Sequence, residues 1–287
     1  MPYIGKPPPI TASVLEDADQ DTKIQVEESA DEDTIRFDIA GAEDFTMTAN
    51  TFTASSGSTI AAQALTATTI GSSAGVTITG TTPTLTIGDA GAEDAKIVFD
   101  GNAQDFHIGL DDTADDLVIG LGSALGTTTH MSFDETGAIL KPLQPAFHSR
   151  NTAKQNNFSG DGTQYTVPFA GTETFDQNAD FDGTTFTAPV AGTYLFTYAL
   201  SMDAIGSSHT NGRVEFKTSN RDYRHNRVNP YAVGAADNWA LQGSVIADMD
   251  ASDTAYVTII IGGGAATVDL SGDSTAAYTY FAGCLLV

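Results

Sequence analysis

Cysteine is nearly missing from this 287-residue chain. Cys284 stands alone, which excludes an intrachain disulfide and, with it, a small module stapled by several. Its place beside Leu285 in an apolar stretch reads as a small buried residue. Basic residues are scarce: 12 Lys and Arg stand against 37 Asp and Glu, a net charge of -25. Such a surface repels nucleic acid and anionic lipid, so neither is an expected partner. Apolar runs of about 20 residues do not occur, so no membrane-spanning helix is expected. The opening Met1-Pro-Tyr-Ile-Gly-Lys6 lacks the basic-then-apolar order of a secretory signal. Heptads are missing too, which argues against a coiled-coil shaft. Trp239, the sole tryptophan, reads as core or interface.

What is present is unevenly spread. Thr, Ala, Gly, Asp and Ser dominate the first half, whereas aromatics gather in the second. Residues 1–140 hold 23 acidic and 4 basic residues, net -19; residues 141–287 hold 14 and 8, net -6. Residues 1–20 carry Pro2, Pro7, Pro8 and Pro9, a density that forbids helix and favours an extended peptide for a partner to hold. In residues 21–140, Ile24/Val26 and Ile35/Phe37/Ile39 alternate with polar residues, giving two strands with Glu27 to Asp33 as their turn. Val76-Thr-Ile78 and Thr84-Leu85-Thr-Ile87 show the same period. The pentapeptide Ala40-Gly-Ala-Glu-Asp44 recurs as Ala90-Gly-Ala-Glu-Asp94 and introduces a second set of short strands through Ile97–Phe99, Phe106–Leu110 and Leu117–Ile119. This half has many strands and few bulky apolar residues. One copy buries too little to offset the entropy of ordering it, so several copies must share a core. Lys141-Pro-Leu-Gln-Pro145 reads as a stiff connector. Beyond it, strands are expected at 146–150, 164–167, 185–188, 193–202, 213–219, 239–249, 255–261 and 278–286.

Phe186, Gly192, Tyr194, Phe196 and Tyr198 place three aromatics on one strand face after a turn at Pro189–Gly192. The chain closes on Phe281, Gly283, Leu285 and Leu286, an apolar strand expected to be buried to its end. These residues resemble the globular head of complement's first-component q subunit, within the tumour-necrosis-factor-like jelly rolls. Phe175, Asp176 and Phe181 fit the upstream part of that pattern with altered spacing. The resemblance implies an all-β jelly-roll sandwich for residues 146–287, a parallel homotrimer, and a knob core of Phe186, Gly192, Tyr194, Phe196, Tyr198, Phe281, Gly283 and Leu285. The segments Asp31–Phe37, Ile97–Phe106 and Asp116–Gly120, with Met1–Lys6, are similar to virion-appendage and tail-fibre proteins of bacterial viruses, especially marine ones. That resemblance covers roughly residues 1–140. It implies a repetitive acidic β shaft over 21–140 and a virion-attachment peptide at 1–20, with Pro2, Tyr3, Ile4, Pro7, Pro8 and Pro9 as candidates.

Catalytic patterns are thin. Gly71-Ser-Ser73-Ala-Gly75 has nucleophile-elbow spacing, but a strand-like segment follows where a helix is needed. Asp111/Asp112 and Asp115/Asp116 pose as paired carboxylates and read as acidic turns. Ile261-Gly-Gly-Gly264 lacks the lysine of a phosphate loop. Asn178–Gly183 approaches a calcium loop, with Asp180 and Asp182 as weak ligands, but Pro189 takes the place of the bidentate glutamate. No other cofactor is expected. His107, His130, His148, His209 and His225 lack ligand spacing, although His107 and His130 could line a threefold axis. The one basic, aromatic run holds Arg221, Tyr223, Arg224, His225, Arg227 and Tyr231, suited either to a phosphate- or sugar-bearing receptor or to offsetting acidic neighbours.

The expectation is therefore a non-enzymatic trimeric virion fibre, made in the host bacterial cytoplasm. Its knob would attach to a surface glycan or protein of the host, and its N-terminus to other virion proteins. A capsid-attached head fibre or decoration protein is the structural alternative. A glycan-depolymerising fibre is the enzymatic one.

Overall fold

The computed structural model describes residues 14–26, 33–60, 71–72, 75–169, 171–234 and 237–287, without the side chain of His225. The proline-rich attachment candidates Pro2 to Pro9, and most of the expected turn at Glu27–Asp33, lie outside the described residues. Two compact units divide after Pro83. The break lies well before the connector at 141–145.

The first unit contains a five-stranded antiparallel meander: β1 (Val14–Glu16), β2 (Lys23–Val26), β3 (Ile35–Ile39), β4 (Ala42–Thr48) and β5 (Thr51–Ala54), paired in sequence order. Period two and register together put like residues side by side. Leu15 faces Ile24, Ile24 faces Phe37, and Phe37 faces Phe45. A second row runs Val26, Ile35, Met47, Phe52. The first Ala-Gly-Ala-Glu-Asp copy turns β3 into β4 through Ala40 and Gly41, at φ 54° and 78°. Two successive left-handed residues suit the twist of a tight hairpin.

The second unit begins with another meander: β6 (Ala95–Phe99), β7 (Phe106–Asp111), β8 (Asp116–Leu121), β9 (Thr129–Phe133) and β10 (Ile139–Leu140). The second pentapeptide makes no hairpin here and forms bends leading into β6. Val76–Ile78 and Thr84–Ile87 are not strands, contrary to their alternation. A strand needs a neighbour to take its backbone N–H and C=O groups, and no pairing reaches these segments among the described residues.

Residues 146–287 fold as two sheets packed face to face. They contain β11 (Ala146–Arg150), β12 (Gln155–Ser159), β13 (Gln164–Thr166), β14 (Thr172–Asp176), β15 (Thr185–Thr187), β16 (Gly192–Asp203), β17 (Asn211–Thr218), β18 (Asp222–Val228), the helical turn α1 (Pro230–Val233), β19 (Trp239–Met249), β20 (Thr254–Gly262), β21 (Val268–Leu270) and β22 (Tyr280–Leu285). One sheet runs β12-β21-β16-β22-β11-β14, with β19 also on β16; the other runs β13-β20-β17-β18, with β15 on β20. Alternate residues of β16 (Tyr194, Phe196, Tyr198, Leu200 and Met202) are buried between the sheets with Phe147, Phe186, Phe216 and Phe281. Phe147 stacks on Phe181 at 4.6 Å and on Phe186 at 5.1 Å between ring centres. Trp239 belongs to this core.

Two glycines are fixed by close approach. A Cβ on Gly192 would lie 2.6 Å from both the Leu285 side chain and the Val287 carbonyl oxygen. On Gly283 it would lie 2.6 Å from the Phe196 ring and 2.7 Å from that of Phe147.

Several expectations are corrected. The C-terminus is not buried to its end: β22 stops at Leu285, and Val287 is 85% exposed. Its carbonyl accepts a hydrogen bond from the Thr193 N–H at 2.8 Å, which holds the backbone without covering the side chain. The connector at 141–145 has side-chain anchors. Gln144 Nε2 donates to Leu285 O at 2.7 Å and Asn178 Nδ2 donates to Leu143 O at 3.1 Å, tying it to the sandwich. Strands β12, β14, β18 and β21 were not anticipated, three of them because polar residues dominate them.

Candidate functional site

Each meander is a single sheet, and most of its bulky apolar residues share one face. In the second, Ile97, Ile108 and Ile119 are cross-strand partners in a row, flanked by Phe99 with Phe106 and by Leu110 with Leu117. Leu117 faces Phe133 and Ile119 faces Met131. This face is left open, with Phe99 60% exposed and Leu110 45%. The reverse face mixes small and polar residues with Val98, Val118 and Leu140, and His107, Gly109, Val118, Gly120 and Ser132 there are buried. The first meander repeats the arrangement with Leu15, Ile24, Ile35, Ile39, Met47 and Phe52, all exposed. A sheet with one apolar face is stable only when that face is covered.

The basic run forms strand β18, so its side chains alternate between two environments. Tyr223 and Val228 pack against the core, Tyr223 at 5.8 Å from the Phe216 ring. Arg224, 63% exposed, lies outward on a carboxylate. That carboxylate is Glu215 of β17, almost fully buried, with Arg213 Nε and Arg224 Nε each at 2.9 Å and Lys217 Nζ at 3.4 Å. Asp222 completes the cluster, 3.1 Å from Lys217 and 3.3 Å from Arg224. These partners hold the Asp222 carboxyl below its usual range, the Lys217 hydrogen bond being the largest cause. Arg221 lies 3.9 Å from Asp248 at the opposite end of β18 from Tyr231. The six receptor candidates therefore do not form one patch. Arg227 and the half-exposed Tyr231 stand near one end, Arg221 at the other, and the His225 side chain lies outside the described residues.

Two of the acidic candidates, Asp182 and Asp111, cap turns. Asp182 Oδ1 accepts from Thr184 N, Thr184 Oγ1 and Thr185 N, each at 2.8 Å. Asp180 is pushed up, first by burial and then by the Asp176 charge. Asp176 itself receives the Asp180 and Phe181 N–H groups. The calcium candidates are thus a turn cap and a crowded carboxyl. Asp111 Oδ1 caps its own turn at Thr113 and Ala114. Gly75 N donates to Ser72 Oγ in a local turn, while Ser73 lies outside the described residues. One acidic triad escaped the sequence reading: Asp17, Asp19 and Asp21, spaced by two and exposed in the β1–β2 turn.

The histidines occupy separate settings. His107 is buried, its Nδ1 2.9 Å from Gly122 O and its ring over Gly120. His130 meets the Phe106 ring edge on the open apolar face, whereas His107 points to the reverse face, so the two do not line one axis. His209 Nδ1 accepts from Gly206 N, which leaves Nε2 to donate to Ala265 O at 3.1 Å. His148 lies between Phe175 and Tyr280, and burial holds its pKa below the usual imidazole value.

The chain enters the sandwich at Ala146, opposite Cys284, and Arg150 at the other end of β11 faces Tyr280. Beyond Arg150 lies the distal end, where a polar hollow of 360 Å³ opens among Lys154, Ser201, Asp203 and Tyr278.

No protein-family model and no curated protein matches the sequence. Among solved structures, the globular domain of zebrafish complement 1qA protein is similar at 18% identity and TM-score 0.33, over 50% of this chain and 98% of that one. Murine APRIL at pH 8.0 is similar at 12% identity and TM-score 0.35, over 50% and 99%. The sandwich assignment rests on the strand pairing of residues 146–287 themselves.

Proposed function

We propose that this chain is a non-enzymatic virion fibre that assembles as a parallel homotrimer and presents its sandwich knob to a host bacterial surface. The observation that carries the reading is the pair of open apolar sheet faces. Each fully buried Leu, Ile or Phe contributes about 1.5–3 kcal/mol, so a face of this kind is a strong drive to associate. Identical copies are the natural cover, because three one-faced sheets around an axis supply one another with an interior. The many acidic residues in the turns keep such an assembly soluble. The knob's distal end, remote from the point of chain entry, is the part free to meet a receptor, and threefold repetition turns weak contacts into firm adhesion. Asp111 and Asp182 are occupied in capping turns, which supports a binding role over a hydrolytic one. Arg227 and Tyr231 are the receptor candidates best placed for contact.

Sedimentation equilibrium of the full chain tests the assembly, with three times the chain mass expected and a compact monomer overturning it. Immunogold labelling of intact particles tests the location. Labelled tails support attachment, and labelled capsid vertices favour a head fibre.

A further inference from the structure

The distal hollow is built from five separate segments. Lys154 precedes β12, Ser201 and Asp203 end β16, Asn238 precedes β19, Ser271 follows β21, and Tyr278 precedes β22. Its 360 Å³ falls in the range of about 300–1,000 Å³ for small-molecule sites.

The walls are held before any ligand arrives. Lys154 Nζ bridges Asp203 at 3.4 Å and Asp269 at 2.9 Å. The loop leading to Tyr278 is pinned by Asp273, whose Oδ1 accepts from Thr275 N, Thr275 Oγ1 and Ala276 N. Arg150 clamps the same loop through Asp273 O at 3.0 Å and Ser274 O at 3.1 Å. Gly272 lets that loop touch the Lys154 segment, since a Cβ there would lie 2.3 Å from Ala153 O. On the far wall, Ile205 N donates to Asp237 O at 2.8 Å beside Asn238.

Three features define what would fit. Ser271 is 7% exposed, and its hydroxyl has no partner among the described residues. A buried hydroxyl left unpaired is costly, so this one awaits a polar partner. Tyr278 lines the hollow and stands 55% exposed, its ring open to a ligand. The lining carries one positive and one negative side chain, so it selects neither an anion nor a cation; it presents alternating donors and acceptors. A ligand dense in neutral hydroxyls, with an apolar ring face for the tyrosine, satisfies all three.

We infer that this hollow is a saccharide-binding subsite for a neutral hexose or N-acetylhexosamine unit of a surface glycan. Asp203 and Lys154 take ring hydroxyls, Ser271 takes the deepest one, and Tyr278 stacks on the sugar face. The inference rests on the attachment reading and names its receptor class. One such site per copy would be weak, and three on one tip would hold.

The test uses the full-length chain on an immobilised panel of neutral, uronic-acid and phosphorylated oligosaccharides, with sedimentation run on every sample. Retention on neutral glycans is expected, with Tyr278→Ala and Asp203→Asn each lowering affinity at least tenfold at unchanged sedimentation. Ser271→Ala should lower affinity several-fold with an unchanged thermal midpoint, because its hydroxyl bonds nothing among the described residues. No retention on any neutral glycan, or equal retention by Tyr278→Ala and Asp203→Asn, overturns the inference. If the chain adheres to bacterial cells and both variants adhere equally, the subsite falls and the fibre reading stands. Glycan retention that those variants lose, by a chain that sediments as a monomer, upholds the subsite and removes the trimer.

Discussion

The meanders and the knob follow the same period-two rule with opposite results. In the knob, Tyr194, Phe196 and Tyr198 are fully buried because a second sheet lies across them. In the meanders, residues of similar size, such as Phe52 and Phe99, stand half or more exposed because nothing of the described chain lies across them. Alternation decides which way a side chain points; only a second layer decides whether it is buried. The knob carries its second layer in its own sequence, whereas no second layer covers the meanders among the described residues.

Substitutions can break this contrast from either side. Gly283→Val should have the largest effect: the added carbon meets Phe196 and Phe147 below 3 Å, a clash at or beyond the top of the range of about 1–3 kcal/mol for overpacked cores. Near-ultraviolet dichroism should show the knob unfolded while association through the meanders persists. Ile108→Asp should do the reverse, abolishing association in sedimentation velocity and leaving the knob's thermal midpoint in place. A shifted midpoint would mean that the two regions depend on each other.

Glu215→Gln sharpens the comparison within the knob. It takes the charge from a buried carboxylate shared by three cations and should cost about 1–3 kcal/mol in denaturant unfolding. Arg224→Ala removes only an exposed partner of the same cluster and should cost less than about 1 kcal/mol. Equal losses would show that the outward arginine, not the buried acid, organises β18. The last effect is confined to alkaline pH. Burial raises the Tyr198 phenol to about 12. The unfolded chain ionises near pH 10, while the folded knob keeps its proton. Stability is therefore full below pH 10 and falls as pH rises from there towards 12. Tyr198→Phe should flatten that alkaline limb in thermal melts.

The core strand Gly192–Tyr198 is legible in the sequence because burial forces aromatics into strict alternation there. Strand β18 is not, since an outward-facing polar strand is set by its ladder and by Glu215, which leave no apolar period. Leu286 and Val287 mislead for the opposite reason: apolarity records a surface to be covered, and here the chain's own sheet stops short of them. The Asp17–Asp21 triad is legible as spacing alone. The distal hollow is illegible because Lys154, Ser201, Asn238, Ser271 and Tyr278 share no local pattern. Sheet order alone brings them together.

The place of β22 has a consequence for quality control. Tyr280–Leu285 fills the gap between β16 and β11, so one short segment joins the two halves of the larger sheet. A polypeptide broken off before Tyr280 would leave both neighbours with bare, sticky edges in mid-sheet. Such truncated products should aggregate or be cleared by proteases rather than persist as folded sandwiches.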